Sequence, residues 1–508
     1  MTLAKTCGVV VNGVDGLIVD IEAYLSQGLP GMNIVGLADT AVGEARDRVR
    51  AAVLNSGLPW PSERRITVGL SPASVHKRGA ALDLGIAVAI LAAHSQVRQP
   101  ESTIILGELA LDGQVRSVRG VLVAAIAAHK AGIEKLIVPM SQVHEAQLVP
   151  GLSVTGVASL TDAILHLRGE AIDQPHLESK PQSHQPSAPD LVDVRGQFAA
   201  RHALEIAAAG GHHLAFMGSP GVGKTMLAER LPSILPELDD ERAVDVTAIY
   251  SAAGQLAPGQ GLMRVPPFQA PHHTATTAAL IGGGSHYARI GMVTLAHCGV
   301  LCLDEAAEFD RVVLDALRQP IESGVVTVAR AGFQVTLPAT FQLVLASNPC
   351  PCGKFVGTGA DCSCSSQVRR RYLARLSGPL LDRIDLRVTL ERPSLAELDV
   401  EGGEPENSAT VRERVLVARE RAASRLAEYP WKVNAHVPGP VLRRRFPIES
   451  SAQRLLNQES NVLSARGADR TLRVAWTIAD LRGHARPDDS DIAAALTHRD
   501  GGGVWQAA

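Results

Sequence analysis

The chain of 508 residues is too long for one hydrophobic core, and its length predicts about three domains. Hydrophobic residues make up 46% of it and charged residues 20%, which is the balance of an ordinary globular protein. A formal net charge of −3 excludes a protein-wide positive field, so any binding of nucleic acid would need a local patch or a pore.

No segment has the pattern of a targeting or membrane-spanning sequence. The N-terminus lacks the apolar core and the small-residue cleavage site of a secretory signal. The longest apolar runs, such as Leu84 to Ala93, are well short of the roughly 20 residues that cross a bilayer. Four of the seven cysteines crowd between Cys350 and Cys364, which is not a disulfide framework for so long a chain. We therefore expect a cytoplasmic protein with no membrane partner.

Two stretches of the chain are candidate domain boundaries. Residues 171–190 contain four prolines and almost no large apolar residue, so they cannot bury enough surface to fold and are predicted to be a linker. A weaker break at 401–408 precedes a helical pattern that runs from Val411 to the end. The predicted domains are therefore 1–170, 191–392 and 393–508.

The region before the linker mixes strand-like and helical patterns, which predicts an α+β layer. The predicted strands are Ile66 to Leu70, Thr103 to Leu106 and Lys135 to Val138. The predicted helices are Thr40 to Leu54, Leu82 to Ala93 and Leu122 to Ala131. After the linker, short apolar runs alternate with helical segments, as in a parallel sheet covered on both faces. These runs are Leu214 to Met217, Val300 to Leu303 and Gln342 to Ala346.

The first of these runs leads into a phosphate-binding motif, GxxxxGK[ST], in the required strand–loop–helix context. Glycines allow the backbone amides to surround a phosphate, and the helix that follows adds a favourable dipole. Lys224 would neutralise the β- and γ-phosphates, while the Thr225 hydroxyl would ligate Mg²⁺. The residues predicted to contact the nucleotide are Gly218, Ser219, Pro220, Gly221, Val222, Gly223, Lys224, Thr225 and Met226.

About eighty residues further on, the apolar strand Val300 to Leu303 ends in two carboxylates. Asp304 would hold Mg²⁺ through water, and Glu305 would orient and polarise the attacking water. Alone, an acidic pair after a strand is usually a feature of a helix N-terminus. Together with the phosphate-binding loop, it predicts ATP hydrolysis.

Two further residues follow the remaining strands. Asn348 follows the run Gln342 to Ala346 at the tip of the strand, where a polar side chain could sense the γ-phosphate, although an Asn-Pro turn is the alternative. Arg383 precedes the predicted strand Leu386 to Leu390 and suits an arginine finger that completes a neighbouring subunit's site. The alternatives are a surface pair with Asp382 and a finger at Arg375.

A cysteine cluster and a histidine pair complete the candidate residues. Cys350, Cys352, Cys362 and Cys364 could enclose a tetrahedral structural Zn²⁺, but C-x-C spacing is less usual than C-x-x-C, and reduced free thiols are the alternative. His272 and His273 are adjacent, which favours a structural or pore-loop role over a metal pair.

The whole set of motifs resembles the ComM/YifB family of magnesium-chelatase-like AAA+ ATPases. The supporting segments are residues 28–57, 107–122, 193–225, 270–284, 295–305, SNPCPCG (347–353), LSGPLLDRIDL (376–386) and 464–481. The resemblance implies a homo-hexameric ring, a helical lid after the ATPase core, and DNA branch migration in natural transformation or recombination. It also implies that Asn348 is sensor 1, Arg473 is sensor 2, Arg383 is the finger that acts in the neighbouring site, and 193–197 lie near the adenine.

The N-terminal domain resembles the Lon-protease fold (ribosomal protein S5 domain 2-like), whose chemistry requires a serine nucleophile and a lysine base. Lys77 to Asp83 contain no serine, and Val121 to Val123 offer no lysine after Gly120. We therefore expect a non-proteolytic docking or ring-building domain. The expected function is an ATP-driven motor acting on branched or single-stranded DNA. The alternative is a magnesium-chelatase-type motor that acts on a protein partner in metal insertion.

Overall fold

The structure is a computed structural model, and the residues it describes form two compact units. The described residues are 2–36, 39–73, 76–77, 79–172, 189–284, 289–330, 333–355, 359–393, 405–459, 463–500 and 505. The N-terminal unit comprises 1–184, 243–263 and 288–290. The second unit comprises 185–242, 264–287 and 291–508, and is called the ATPase unit after the activity that the sequence predicts for it. Most of the predicted linker 171–190 lies outside the described residues.

The N-terminal unit is built on a mixed sheet of seven strands in the order β3-β4-β2-β1-β5-β8-β9. The strands of the unit are β1 Leu3–Asn12, β2 Asp15–Ser26, β3 Gly31–Val35, β4 Arg65–Ser71, β5 Thr103–Ile105, β6 Glu108–Leu109, β7 Val115–Arg116, β8 Lys135–Pro139 and β9 Ser153–Val157. Strands β6 and β7 pair with each other in a separate sheet. Its helices are α1 Thr40–Asn55, α2 Asp83–Ala93, α3 Val121–Lys130, α4 Val143–Gln147 and α5 Leu160–Arg168. β1 and β2 form a long antiparallel hairpin around Gly13 and Val14, and Gly13 has the positive φ that such a turn demands.

Helix α2 is the centre of this unit, because every one of its residues is buried. It is apolar all round, the pattern of a core helix. Its one ionised group, Asp83, accepts from the Arg48 guanidinium at 2.7 and 3.1 Å. Burial raises the pKa of Asp83 to about 6 in spite of Arg48. The pair joins α1, which carries Arg48, to α2, which carries Asp83.

Part of helix α8 (Asp240–Ala253) belongs to the N-terminal unit rather than to the ATPase unit. Ala248 packs into the core around α3, and the Ser251 carbonyl accepts from the Gly120 amide at 3.1 Å. Ser251 also donates its hydroxyl to Glu145. The sequence predicted one uninterrupted domain over 191–392 and did not indicate that 243–263 group with the N-terminal unit. The predicted domain boundaries stay predictions.

The ATPase unit contains a parallel sheet of five strands in the order β11-β14-β17-β10-β18. The strands after residue 189 are β10 Leu214–Gly218, β11 Phe268–Gln269, β12 Gly282–Gly283, β13 Arg289–Ile290, β14 Val300–Leu303, β15 Val325–Arg330, β16 Phe333–Pro338, β17 Gln342–Ser347 and β18 Leu386–Leu390. The remaining helices of its core are α6 Phe198–Gly210, α7 Lys224–Ile234, α9 Thr277–Ile281, α10 Met292–Leu295, α11 Arg311–Ala316, α12 Arg318–Ser323, α13 Ser366–Leu373 and α14 Gly378–Leu381. Strands β10, β14 and β17 are buried throughout, as covered parallel strands require.

The C-terminal region of the ATPase unit is helical. Its helices are α15 Ser408–Arg425, α16 Gly439–Arg445, α17 Ser450–Glu459, α18 Ala465–Arg482 and α19 Asp489–Asp500. Asn407 and Ser464 cap α15 and α18 by accepting from backbone amides, and Gly483 ends α18 in the left-handed conformation. The prediction of a mixed α/β protein with a parallel sheet and a helical C-terminal region is therefore confirmed. None of the described helices is both long and apolar enough to cross a membrane.

Candidate nucleotide-binding site

Three neighbouring strands of the ATPase unit bring the predicted site residues to one edge of the sheet. Strand β17 lies between β14 and β10, and all three are parallel. Their carboxyl ends therefore meet, and the next residues along the chain lie side by side. In chain order these segments are Gly218 to Thr225 after β10, Asp304 and Glu305 after β14, and Asn348 after β17.

The loop after β10 adopts a conformation that its glycines make accessible. Gly221 and Gly223 have φ values of 79° and 95°, where a Cβ atom would be strained. Gly218 lies so close to β18 that a Cβ atom there would be 2.6 Å from the Leu390 carbonyl oxygen. Gly223 then caps the N-terminus of α7, an eleven-residue helix whose dipole favours an anion. The segment thus has the strand–loop–helix form expected of a phosphate site.

Lys224 lies at the centre of this loop. Its ammonium donates to the carbonyls of Gly218 and Ser219 at 2.8 and 2.9 Å, and to Asn348 Oδ1 at 3.0 Å. Burial lowers the pKa of Lys224, while the carboxylates of Asp304 and Glu305 act in the opposite direction. One cation therefore links the phosphate-binding loop to the predicted sensor asparagine.

Thr225 and Asp304 form a candidate Mg²⁺ site. The threonine hydroxyl donates to Asp304 Oδ2 at 2.6 Å, so the two predicted magnesium ligands are in direct contact. Hydroxyl and carboxylate oxygens are the ligands that Mg²⁺ prefers, and it is usually held by few protein groups together with phosphates and water. The residues present at this position therefore fit the ion.

Glu305 follows Asp304 in an unusual conformation. Its φ is 51°, uncommon for a residue with a side chain, and its amide donates to Asp304 Oδ1 at 2.8 Å. The carboxylate is half-exposed and lies 3.0 Å from Nδ1 of His273. Backbone strain of this kind concentrates at functional sites. Glu305 is therefore a candidate functional residue by its backbone as well as by its position after β14.

The contact between His273 and Glu305 was not foreseen from the sequence. Strand β11 pairs with β14 through Phe268 to Val300 and Gln269 to Leu301. Continuing that register by four residues brings His273 opposite Glu305. Only the register could have revealed this neighbour, and β11 is a two-residue strand with no clear sequence pattern.

The two predicted arginines lie at the other edge of the same sheet. Arg473 lines a cavity of about 600 Å³ at this edge. The cavity is also lined by His213, Phe341 and Asp385, which directly precede β10, β17 and β18. Arg473 donates Nε to the Val437 carbonyl at 2.8 Å, and burial lowers its pKa. Since β10 spans five residues, or about 16 Å, the cavity and the phosphate-binding loop are far apart within one chain.

Arg383 is nearly buried beside this cavity. Its Nη1 donates to the Pro379 carbonyl at 2.6 Å, and its Nη2 lies 2.5 Å from the carboxylate of Glu322, a half-exposed residue that lines the cavity. Arg375, the rival finger, instead lies close to the end of β14, where it donates to the Ala307 carbonyl at 3.1 Å. The two candidates are thus on opposite edges of one subunit's sheet.

Ionised groups hold the floor of the cavity in place. Arg470 donates to Asp385 at 2.5 Å, and His212 Nδ1 lies 3.4 Å from the same carboxylate. Burial alone would raise the pKa of Asp385, but Arg470 and His212 outweigh it and hold that pKa well below its ordinary value. The buried His213 ring has its pKa lowered to about 4 and is neutral at pH 7.

The four predicted zinc ligands come together in the loop after β17. Cys350 Sγ lies 3.4 Å from Cys352 Sγ and 3.7 Å from Cys362 Sγ. The sulfurs of Cys352 and Cys362 are also 3.7 Å apart, and all four, including that of Cys364, lie within 4.8 Å of one another. The described residues thus place four thiols around one point.

At the predicted protease positions of the N-terminal unit, the described side chains are apolar or already bonded. Val121, Leu122 and Val123 are buried at the start of α3, and Leu82 is buried beside α2. The Lys77 ammonium donates to the Pro72 carbonyl. The described residues at these positions do not include a serine hydroxyl next to a lysine that could act as its base.

Models of three parts of the magnesium chelatase subunit ChlI match successive parts of the chain. The match to "Magnesium chelatase, subunit ChlI" covers residues 190–398. "Subunit ChlI of Mg-chelatase" matches 21–142, and the ChlI C-terminal model matches 405–499. The first match contains the phosphate-binding loop, both acidic residues, Asn348, the cysteine cluster and Arg383.

Curated relatives match over nearly the whole length. An uncharacterized protein of Mycobacterium tuberculosis, Rv2897c, is 48% identical over 508 residues, which is 99% of each chain. The competence protein ComM of Haemophilus influenzae is 41% identical over 98% of each chain. The uncharacterized protein YifB of Escherichia coli is 41% identical over 94% of this chain and 92% of its own.

A more distant and partial similarity bears on the fold of the N-terminal unit. The Lon protease of Mycolicibacterium smegmatis is 26% identical over 162 residues, which is 30% of this chain and 21% of Lon. This supports the Lon-like expectation only in part, because the match is short and weak.

Proposed function

Because the chain belongs to the ComM/YifB family of magnesium-chelatase-like AAA+ ATPases, we propose that it is a ring-forming motor that couples ATP hydrolysis to the remodelling of DNA. In this proposal ATP and Mg²⁺ bind at the edge of the five-stranded sheet, and the four-cysteine cluster holds a structural Zn²⁺. The observation that carries the proposal is the meeting of Lys224, the Thr225–Asp304 pair and Glu305 at that edge.

Each of these groups has a distinct task in hydrolysis. Lys224 neutralises the β- and γ-phosphates, and Asn348, which it already contacts at 3.0 Å, contacts the γ-phosphate as sensor 1. Glu305 orients and polarises the attacking water. Thr225 and Asp304 would hold Mg²⁺, and the ion would supply positive charge to the phosphate oxygens.

The positions of the arginines support a ring. Arg383 and Arg473 lie across the sheet from their own phosphate-binding loop, so neither reaches the nucleotide of its own subunit. Head-to-tail packing around a closed ring brings one edge of a subunit against the opposite edge of the next. In a homo-hexamer of this kind Arg383 acts as the finger, and Arg473 as sensor 2, in the neighbouring site.

DNA is the proposed polymer substrate. The Haemophilus relative is named as a competence protein, which favours branch migration or helicase activity during natural transformation or recombination. With a net charge of −3, the contact would be local, in the pore of the ring or on a patch. The alternative is a magnesium-chelatase-type motor that acts on a protein partner in metal insertion, as the name of the matching family suggests.

The N-terminal unit is proposed to be a non-proteolytic docking or ring-building module. Peptide cleavage needs a nucleophile and a base that share a proton. The buried Val121 and Leu122 and the bonded Lys77 supply neither.

The test is the rate of ATP hydrolysis by the full chain without DNA and with four-way junction, single-stranded or duplex DNA. We expect branched or single-stranded DNA to accelerate turnover, and we expect Lys224→Ala to be inactive with each of them. Lys130→Ala, which removes an exposed lysine from the N-terminal unit, is the matched control. Equal turnover with every DNA would reject DNA as the substrate and favour a protein partner.

A further inference from the structure

The cysteine cluster has the dimensions of a tetrathiolate zinc site. A tetrahedral ion with Zn–S bonds of about 2.3 Å separates its sulfurs by about 3.8 Å. Three of the separations here are 3.4, 3.7 and 3.7 Å. A disulfide would bring two sulfurs to about 2.05 Å and leave the other two apart. The four sulfurs therefore surround a space that fits one zinc ion.

The loop that carries the cysteines has little else to order it. Of its described residues between Cys350 and Ser365, only Cys350 and Gly353 are buried. Its other contacts include a hydrogen bond of 2.8 Å from Arg369 to the Cys364 carbonyl and the Arg369 guanidinium 4.0 Å above the Phe355 ring. A short loop without a core of its own usually needs a metal or a disulfide to hold one conformation.

This loop adjoins the nucleotide site at two points. Asn348, which bonds to Lys224, is two residues from Cys350. Gly353 packs against the ring of Pro220 in the phosphate-binding loop, so closely that a Cβ atom on Gly353 would be 2.5 Å from Pro220 Cδ. The loop therefore contacts the phosphate-binding loop from one side and continues directly into the sensor residue.

We propose that one Zn²⁺ bound by Cys350, Cys352, Cys362 and Cys364 supports the nucleotide site, because it holds Asn348 and Pro220 in place for ATP. This inference rests on the proposed ATPase function and adds to it that the structural Zn²⁺ supports ATP binding. Binding displaces the thiol protons and involves no change of oxidation state. The cysteines are positioning residues, since none of them contacts the phosphate-binding loop's own lysine.

The first experiment measures zinc and ATP binding together. The full chain, purified without added metal, should contain one zinc per chain by elemental analysis. The double variant Cys362→Ser, Cys364→Ser should lose the zinc and bind ATP about tenfold more weakly, a typical cost of losing a group that orients a site. Cys7→Ser, in the N-terminal unit, is the matched control and should keep both. Circular dichroism and hydrogen exchange in α6 and α18 check that the variant stays folded.

A second variant separates the metal from the contact that it supports. Gly353→Ala keeps all four thiols but adds a methyl group against Pro220. We expect it to retain zinc and to bind ATP more weakly than the wild type, with the added strain of a φ of 73° confined to this loop.

The outcomes distinguish the two levels of the proposal. Absence of zinc from the wild type, or full ATP affinity in a folded zinc-free double variant, would overturn the inference and leave the ATPase function intact. A wild type that holds zinc but binds no ATP would instead refute the proposed function. Full ATP affinity in Gly353→Ala would show that the contact with Pro220 carries no support.

Discussion

The two units of this chain differ in the side chains at their predicted catalytic positions. In the ATPase unit, three buried strands end in polar groups that bond to each other: Lys224 to Asn348, and Thr225 to Asp304. In the N-terminal unit, buried apolar side chains occupy the position at the start of α3 where a protease of the Lon type would need a lysine. One unit thus combines a rigid sheet with bonded polar groups at its edge, whereas the other has only the rigid framework.

The comparison also shows that a shifted pKa is a weak sign of catalysis by itself. Burial raises the pKa of Asp83 to about 6, yet this carboxylate is buried inside the N-terminal unit and paired with Arg48. Burial also lowers the pKa of Lys224, but that group lies in a loop open to a ligand. Structural ion pairs perturb titration as active sites do. Access to a substrate is what separates the two cases.

The largest expected effect lies in the ATPase unit and separates binding from hydrolysis. Lys224→Ala should abolish ATP binding, because no other described cation lies in the phosphate-binding loop. Glu305→Gln should bind ATP normally but lose turnover by about a hundredfold or more, since only the group that polarises water is lost. Equilibrium binding and single-turnover hydrolysis measure the two properties. Normal hydrolysis by Glu305→Gln would contradict the role assigned to that residue.

A smaller effect should appear in the pH dependence of stability. Burial lowers the pKa of four histidines in the ATPase unit to about 4, below the ordinary 6.5; these are His213, His297, His436 and His498. In the unfolded chain these histidines are protonated below about pH 6.5, whereas in the folded unit they are protonated only near pH 4. The stability they contribute is therefore complete above pH 6.5 and falls as the pH approaches 4, by about 1.4 kcal/mol per histidine for each pH unit.

Hydrogen exchange read by mass spectrometry can follow each unit separately at pH 7 and pH 5. In the N-terminal unit, burial lowers the pKa of His166. We expect protection in β10 and α18 to fall more than protection in β1 and α2. His213→Gln should reduce the difference between the two pH values, and an equal loss in both units would contradict this account.

The smallest expected effect is none at all. Casein incubated with the wild-type protein, ATP and Mg²⁺ should remain uncut, because the N-terminal unit has no serine–lysine pair at the expected positions. Lys224→Ala serves as the control, since a contaminating protease would act in both preparations. ATP-dependent peptides that appear with the wild type and not with Lys224→Ala would show that the unit is a protease after all.

What could be predicted from the sequence was mostly local. The apolar runs that became β10, β14 and β17 were predicted to within one residue at each end, because buried parallel strands are short, continuous apolar segments. The predicted strand Leu386 to Leu390 also has the bounds of β18, although its apolar residues alternate with Arg387 and Thr389. The phosphate-binding loop was recognisable because its glycines serve a backbone conformation. These features depend on a few neighbouring residues, so the chain displays them directly.

What was missed depends on partners distant in sequence. The packing of α8 on α3 joins Ser251 to Gly120 and Glu145, and nothing in either segment alone specifies the other. His273 meets Glu305 through the register of the very short β11. The β1–β2 hairpin is the exception, since its turn is local and Asn12 and Gly13 are a recognisable turn signal. Long-range pairing and register remain the weak points of sequence-based inference.

The central claim is that one nucleotide site is completed by two subunits, and a mixture of two inactive variants tests it most directly. Arg383→Ala should bind ATP almost normally but turn over on the order of a thousandfold more slowly, while Lys224→Ala should not bind at all. When both are combined in one ring, some interfaces join an intact loop from one subunit to an intact Arg383 from the next. We predict partial recovery of ATP hydrolysis that depends on the mixing ratio. If mixed rings form and activity stays at the level of the separate variants at every ratio, the shared site is contradicted, and Arg375 becomes the residue to test.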